Sequence, residues 1–535
     1  MRVLGIEGTA WAASAALYDT ETDTVEIETE AYLPESGGIH PREAAEHMAE
    51  YLPAVTERLL GRAPGSSDEP GDGAIDAVAF SRGPGLGPCL RLTGTTARSL
   101  AQRLDVPLVG VNHMVAHLEI GRHRSGFDSP VCLNASGANA HVLGYRNCRY
   151  RVLGETMDTG VGNAIDKFTR HLGWSHPGGP KVEAAAKEGE YVDLPYVVKG
   201  MDFSFSGIMS AAKEEVDSGT PVEDVCCGLQ ETLFGMLTEV SERALALTGS
   251  DELVLGGGVG QNQRLQEMLT IMCEQRGARF FAPEDRFLRD NAGMIAVLGA
   301  KMCEAGDTLA IEESGIDADF RPDEVPVTWR EDEAESIRRT DLGTVVQGAE
   351  ASVSFTDELV VKRRHEREYR HPALDERLRR ERTRSEARLT SEARRTGVPT
   401  PVVRDVDLQE STLSLQYVGD SELREVVSRE RVEAVARHLA RLHEAGFVHG
   451  DPTTRNVRVT TTEPERVFLI DFGLGYYSDD PEDYAMDLHV LSQSLRGTAA
   501  DADELVRAAR RAYDEIGPSA VIDQLDEIAG RGRYQ

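Results

Sequence analysis

Apolar and polar positions alternate along MRVLGIEGTAWAASAAL, so residues 4–19 are predicted to form a strand, a turn and a second strand. VCLNASGANAHVLGY (131–145) repeats the rhythm and reads as another β-hairpin. ELVLGGGVGQNQRLQEML (252–269) reads as strand, glycine turn and helix, and NHMVAHLE (112–119) as helix. FLRDNAGMIAVLGA (287–300) places Asp290 just before an apolar helix, where an N-cap role alone would explain it. Strands and helices alternate through the first 325 residues, which are rich in glycine and alanine. No run of about 18 apolar residues occurs, so no membrane-spanning helix is expected.

The pattern changes near residue 325. ADFRPDEVPVTWREDEAESIRRTD (318–341) has two prolines and a charge run and reads as a linker, and arginine and glutamate dominate after it. GRAPGSSDEPGDG (61–73) reads as a surface insertion, and no short internal repeat is visible. The expected organisation is a fusion of two units, 1–325 and 342–535, joined by a linker at 326–341.

Acidic residues outnumber basic ones 91 to 58, net charge is -33, and only seven of the cations are lysine. Excess acid with scarce lysine resembles adaptation to a salty cytoplasm. It argues against a general nucleic-acid binder but leaves room for a local basic patch, because salt screens the remainder. Seven cysteines, an odd number without a CxxC, fit a reducing cytoplasm rather than a disulfide framework.

Two places carry candidate chemistry. His113 and His117 stand four apart, which puts both imidazoles on one helix face about 6 Å apart. That spacing suits one metal ion, or a pair of packed histidines. A peptidase would need glutamate after the first histidine, and Met114 is there. In the second unit, FVHGDPTTRNV (447–457) precedes VFLIDFGLG (467–475), the ordered set of a kinase. Asp451 would accept or orient a nucleophile's proton, and Asn456 and Asp471 would hold Mg²⁺ against ATP. Lys362, on the predicted strand LVVKRR, would pair the phosphates, with Glu386 as its partner and Glu381 as runner-up. VVQGAEASV (345–353) offers Gly348, Ala349 and Glu350 where kinases have a glycine-rich loop. No APE follows DFG, so a peptide-docking platform is nearly absent; Asp487, in DYAMDLHVL, would brace the catalytic loop. The arginine-rich helix at 377–395 reads equally as a solvated face or a phosphate-contacting surface.

VKRRHEREYRHPALDERLRRERTRSEARL and HGDPTTRN resemble the small atypical kinase of the KEOPS complex, near the RIO kinases, over about 342–535. GIEGTA, SRGPGLGPCLRLT, GVNHMVAHLE, SGAN, DTGVGNAIDKFTR, HPGGP, FSFSGI, GGGVGQN and DNAGMIA together resemble tRNA N6-adenosine threonylcarbamoyltransferase over about 1–325. Three glycine turns in this order are the pattern of the actin and sugar-kinase superfamily, in which backbone N–H groups of two hairpins grip phosphates. The expected fold is therefore α/β, an actin/sugar-kinase-like two-lobed ATPase fold, followed by a small atypical protein-kinase-like α+β unit. Glu7 stands where sugar kinases often place an aspartate near Mg²⁺.

The resemblance implies one iron or zinc ion on His113, His117 and Asp290. Asn134 stands where archaeal relatives usually carry a tyrosine ligand, so either three protein ligands suffice or the Asn134 amide oxygen adds a fourth. It implies threonylcarbamoyl-AMP contacts at Asn134, Ala135, Ser136, Gly137, Ala138, Asp166, Gly179, Glu183 and Asn262, although capping and surface charge would also account for Asp166 and Glu183. Backbone N–H groups at Ser136–Ala138 would stabilise the departing phosphate. The implied partners are tRNA and the small KEOPS subunits, with Mg-ATP in the kinase unit, no membrane and a cytoplasmic setting. The competing reading is a signalling kinase with a nucleotide-binding regulatory domain.

Overall fold

The computed structural model describes residues 1–32, 39–62, 75–137, 139–146, 148–330, 345–348, 351–355, 359–462 and 464–531. Ala138, Ala349, Glu350, most of the expected insertion at 61–73 and most of the linker lie outside them.

Two five-stranded sheets form the first part of the chain. In the first, Thr24–Ala31, Ala12–Asp19 and Arg2–Glu7 make an antiparallel meander, followed by Ala77–Gly83 and Leu108–Asn112 running parallel to Arg2–Glu7. In the second, Arg149–Glu155, Ala140–Arg146 and Val131–Ala135 make the meander, and Glu252–Gly256 and Arg279–Phe281 continue in parallel. The two halves share one topology. No sequence repeat marks it, because a sheet needs matched burial and strand direction, which many residue choices supply.

The helix after each fifth strand reaches the other half. His113–Ser125 packs on Glu252–Gly256 and Val131–Ala135 of the second sheet, and Ala292–Glu304 packs on all five strands of the first. The approach is close: a Cβ at Gly5 would strike the carbonyl of Ala292, and one at Gly299 would strike Ala79. Both helix N-termini therefore meet between the halves. Asn112 caps the first, accepting from Met114 and Val115 N–H, and Asn291 caps the second, accepting from Met294 N–H. Asn291, not Asp290, is thus the cap, which leaves the Asp290 carboxylate available.

The second part begins with an antiparallel sheet ordered Val345–Gln347, Ala351–Phe355, Leu359–Arg364, Thr412–Gln416, Val403–Asp407. Helix Pro372–Arg395 flanks it. Helices Arg429–Glu444, Pro481–Thr498, Ala502–Asp514 and Ala520–Arg531 enclose a core that includes Leu439, Phe447, Phe472, Leu491 and Tyr513. Packing of the first part continues past residue 325: Trp329 stacks on Tyr150 at 6.3 Å and Arg330 donates to the Asp128 carbonyl.

One helix of the first part, Val222–Thr248, receives the second. Its Glu239 is bound by Arg370 at 2.6 Å and Arg382 at 3.0 Å, and by its own helix's Arg243 at 2.6 Å. Its Glu242 pairs with Arg367 at 3.1 Å, and the Tyr369 ring is buried in the core of the second sheet. Arg455 of the catalytic loop donates to the carbonyl of Ala246 near the same helix's C-terminus. The arginine-rich segment is accordingly neither wholly solvated nor wholly a phosphate surface. Of its arginines only Arg382 is buried, against Glu239 of the first part, with Arg367 and Arg370 buried just before the helix, while Arg379 and Arg380 pair along their own helix.

Candidate metal centre and nucleotide clefts

His113 and His117 extend from the first two turns of their helix toward Asp290, which precedes the facing helix. The Nε2 atoms of both imidazoles lie 3.2 Å from Asp290 Oδ1. One ligand atom from each of the three residues fits within a 4.8 Å span. Glu7 is fully buried, and its Oε2 lies 3.1 Å from His113 Nδ1. Thr9 and Ser81 occupy its other bonding positions. Glu7 therefore orients His113, with Nε2 facing inward, a carboxylate–imidazole arrangement typical of metal centres.

The electrostatics ask for a cation. Burial works against a charged His113, but Glu7 and Asp290 overrule it and push its pKa up to about 10. Against its own burial, the two imidazoles hold the Asp290 carboxyl well below the usual carboxylate range. Burial keeps His117 below its ordinary value. Asn134 is 1% exposed, and its Oδ1 has no hydrogen-bond partner. An ideal Cβ on Gly256 would lie 3.3 Å from His117 Cβ and 3.5 Å from Asn134 Oδ1, so this orphaned oxygen sits beside the histidine. Two imidazoles, one carboxylate and a spare amide oxygen fit iron or zinc with open coordination positions. Glu7→Gln is expected to weaken metal binding about 10–100-fold, the usual loss when an outer partner is removed. Competition with a chelator measures it, and unchanged affinity would refute the orienting role.

Ser136, Gly137, Asp166, Gly179, Glu183 and Asn262 fall in or beside a set of neighbouring turns, whereas Ala135 is fully buried in its strand. Gly162 approaches Gly137 so closely that a Cβ would lie 2.7 Å from its Cα, and a Cβ on Gly257 would lie 2.6 Å from Asn134 Oδ1. The turns at 134–137, 160–162 and 256–258 are therefore contiguous. Asp166 Oδ1 accepts from Gly178 N–H at 2.8 Å, which fixes the Pro-Gly-Gly-Pro turn, and His176 lies 3.2 Å from its other oxygen. Glu183 accepts from Gln263 N–H at 3.1 Å, and Gly179 has open space on its Cβ side. Asn262 caps the helix Gln263–Arg276 and donates to Gln230 at 3.2 Å. The expected donor at Ser136 is not free, because its N–H closes the hairpin turn onto Asn139 O at 2.9 Å.

The second cleft assembles as the motif order predicts. Lys362 Nζ lies 3.0 Å from Glu386 and 2.7 Å from Asp471, so Glu386 and not Glu381 is its partner. Arg364 adds a second buried cation on Glu386 at 2.6 Å. Asn456 donates to Asp451 Oδ2 at 2.9 Å. Asp487 accepts from His449 and Gly450 N–H at 2.7 and 2.8 Å and braces the catalytic loop. His443, 3.0 Å from Asp487, was not signalled by any motif, since it lies on a helix outside the loop. Gly348 N–H bonds Ala351 O at 2.8 Å.

These geometries define an α/β unit of two like sheets with a candidate metal-ligand cluster between them, followed by a kinase-like unit. Residues 22–297 match the tRNA N6-adenosine threonylcarbamoyltransferase family, and 402–508 match the lipopolysaccharide kinase (Kdo/WaaP) family. A probable bifunctional tRNA threonylcarbamoyladenosine biosynthesis protein of Halobacterium salinarum is 70% identical, over 100% of this chain and 99% of that protein. Proteins of the same description from Haloarcula marismortui and Methanospirillum hungatei are 69% and 51% identical, covering 100% and 99% of each chain respectively. The chain belongs to this family of bifunctional tRNA threonylcarbamoyladenosine biosynthesis proteins. Full-length HypF aligns at a TM-score of 0.40 and 12% identity, over 56% of this chain and 55% of that one. Among the described residues, no helix is long and apolar enough to cross a membrane.

Proposed function

We propose that residues 1–325 transfer the threonylcarbamoyl group from threonylcarbamoyl-AMP to N6 of the adenosine 3′ of the anticodon, in tRNAs reading codons that start with A. The observation that carries this reading is the convergence of His113, His117 and Asp290 beside the unsatisfied Asn134 oxygen, at a rim of backbone turns. The N6 amine attacks the carbamoyl carbon; the new N–C bond replaces the C–O bond to phosphate, AMP leaves and the amine loses a proton. His113, His117 and Asp290 would hold one iron or zinc ion, which when bound supplies Lewis acidity and an anchor for a substrate oxygen. Glu7 fixes the His113 tautomer. Asp166 holds the turn at Gly178 in place, and Gly179, with Glu183 one turn on, leaves room for the adenylate.

Residues 342–535, beyond a linker at 326–341, would bind Mg-ATP and hydrolyse it or phosphorylate the protein or a partner. Lys362 would pair the phosphates, Asn456 and Asp471 would hold Mg²⁺, and Asp451 would orient the attacking oxygen. Fusion places this unit at high effective concentration beside the transferase. Small KEOPS-type subunits would complete the assembly in the cytoplasm.

The test is a transfer assay in high salt with unmodified tRNA, partner subunits, labelled threonine, bicarbonate, ATP and the adenylate-forming enzyme. Label should enter tRNA. Formation of the adenylate without any label in tRNA would refute the transferase reading. Asp471→Asn should reduce ATP turnover to background while preformed threonylcarbamoyl-AMP still donates in a single turnover. Unchanged ATP turnover would place nucleotide hydrolysis elsewhere.

A further inference from the structure

A surface cavity of about 450 Å³ is lined by Lys167, Arg170, His171 and Lys213. The first three belong to helix Val161–His171 and the fourth to helix Ser206–Asp217. Acidic residues exceed basic ones by 33 in this chain, and there are seven lysines in all. Two of the seven share this cavity. Lys181, Lys199, Lys301 and Lys362, four of the other five, are held by hydrogen bonds or carboxylates. Among the described residues, the side chains of Lys167, Arg170 and Lys213 have no ion pair or hydrogen bond. His171 alone is tied, to Asp217 at 2.8 Å. Unpaired cations gathered on an acidic surface repel one another, and an anion relieves that repulsion.

The position matters as much as the charge. Asp166, which fixes the Gly178 turn on the candidate adenylate rim, is on the same helix. Lys167 is its neighbour in sequence, and Arg170 lies four residues on, so both are within about one helical turn of it. The cations are exposed or half-buried rather than enclosed. An open cationic surface suits a polyanion tracking past the site more than a small nucleotide held inside it.

We propose that this cavity receives the phosphate backbone of the RNA whose adenosine enters the adjacent cleft. The inference rests on the proposed transfer to tRNA. It gives Lys167, Arg170 and Lys213 the role of positioning the polynucleotide, with no part in the chemistry.

The experiment measures tRNA binding by full-length protein across a range of KCl concentrations in which it stays folded, as verified by melting. Wild type is compared with the triple variant Lys167→Gln, Arg170→Gln, Lys213→Gln and with the charge-keeping pair Lys167→Arg, Lys213→Arg. Removing one cation from a phosphate flattens the log–log salt dependence by about 0.7–0.9. The triple variant should therefore bind more weakly with a slope reduced by about 2, and the charge-keeping pair should retain the wild-type slope. In the transfer assay, KM for tRNA should rise while kcat at saturation is kept. AMP binding to the triple variant should match wild type. An unchanged tRNA slope overturns the proposal. So does an affinity loss for AMP equal to that for tRNA, which would make the cavity part of the small-nucleotide site. If wild type itself binds no tRNA, the transferase reading falls instead, and the two failures are told apart.

Discussion

His113→Ala is expected to strip the metal from the purified protein and lower threonylcarbamoyl transfer by more than about 100-fold, since loss of an outer partner alone costs about 10–100-fold. Two of three ligands would remain, and Glu7 would be left buried without the imidazole it now faces. Elemental analysis and the transfer assay read both effects, and a metal-replete, active variant would sink the site. Asn134→Ala separates the two arrangements left by the sequence. Full metal content would mean that three protein ligands suffice, and reduced content would make the orphaned Asn134 oxygen the fourth.

Glu239→Gln should loosen the junction between the two units. Glu239 is 1% exposed and binds Arg370, Arg382 and Arg243 at once. Removing the anion takes away the carboxylate that three buried guanidinium groups share, a loss of about 3–5 kcal/mol. Salt in the surrounding solution screens a buried pair far less than a surface one. The effect should therefore persist in concentrated KCl. A chain of two units need not unfold in one step, so amide exchange over Pro372–Arg395 is the better readout than a single melting point. Protection there should fall. Glu376→Gln, which removes the exposed partner of Arg380, should leave it unchanged. Equal protection in wild type and Glu239→Gln would refute the docking role. Arg382 precedes Glu386 by one helical turn, so the same variant should also disturb the Lys362–Glu386 pair.

Much of the site was legible because it rests on local spacing. Histidines four apart on a helix share a face whatever surrounds them, and an aspartate before an apolar helix sits at its N-terminus. The kinase set was legible in the same way, since strand and loop order fix which carboxylates reach the cleft. Glu386 and Glu381 stood as first choice and runner-up on one helix, and the 3.0 Å contact of Glu386 with Lys362 decides between them. Less legible were residues whose work depends on a distant partner. Glu7 lies 106 residues from His113, and nothing near it in sequence announces that it holds the imidazole. Asn262 reads as a ligand contact in its glycine turn, yet its oxygen caps the following helix, an equally local role that the motif masked.

The sequence by itself determined the change of pattern near residue 325, most element types and the residues that the motifs single out, because hydrophobic period, glycine turns and motif order act over short stretches of chain. Only the tertiary structure decided three other things. It showed that the two sheets share one topology, that helices His113–Ser125 and Ala292–Glu304 pack together so that His113, His117 and Asp290 meet, and that the arginine-rich helix docks through Arg382 on Glu239. Each of these depends on contacts between residues far apart in the chain. Burial, not composition, determines whether an arginine is solvated, binds phosphate or pairs with Glu239.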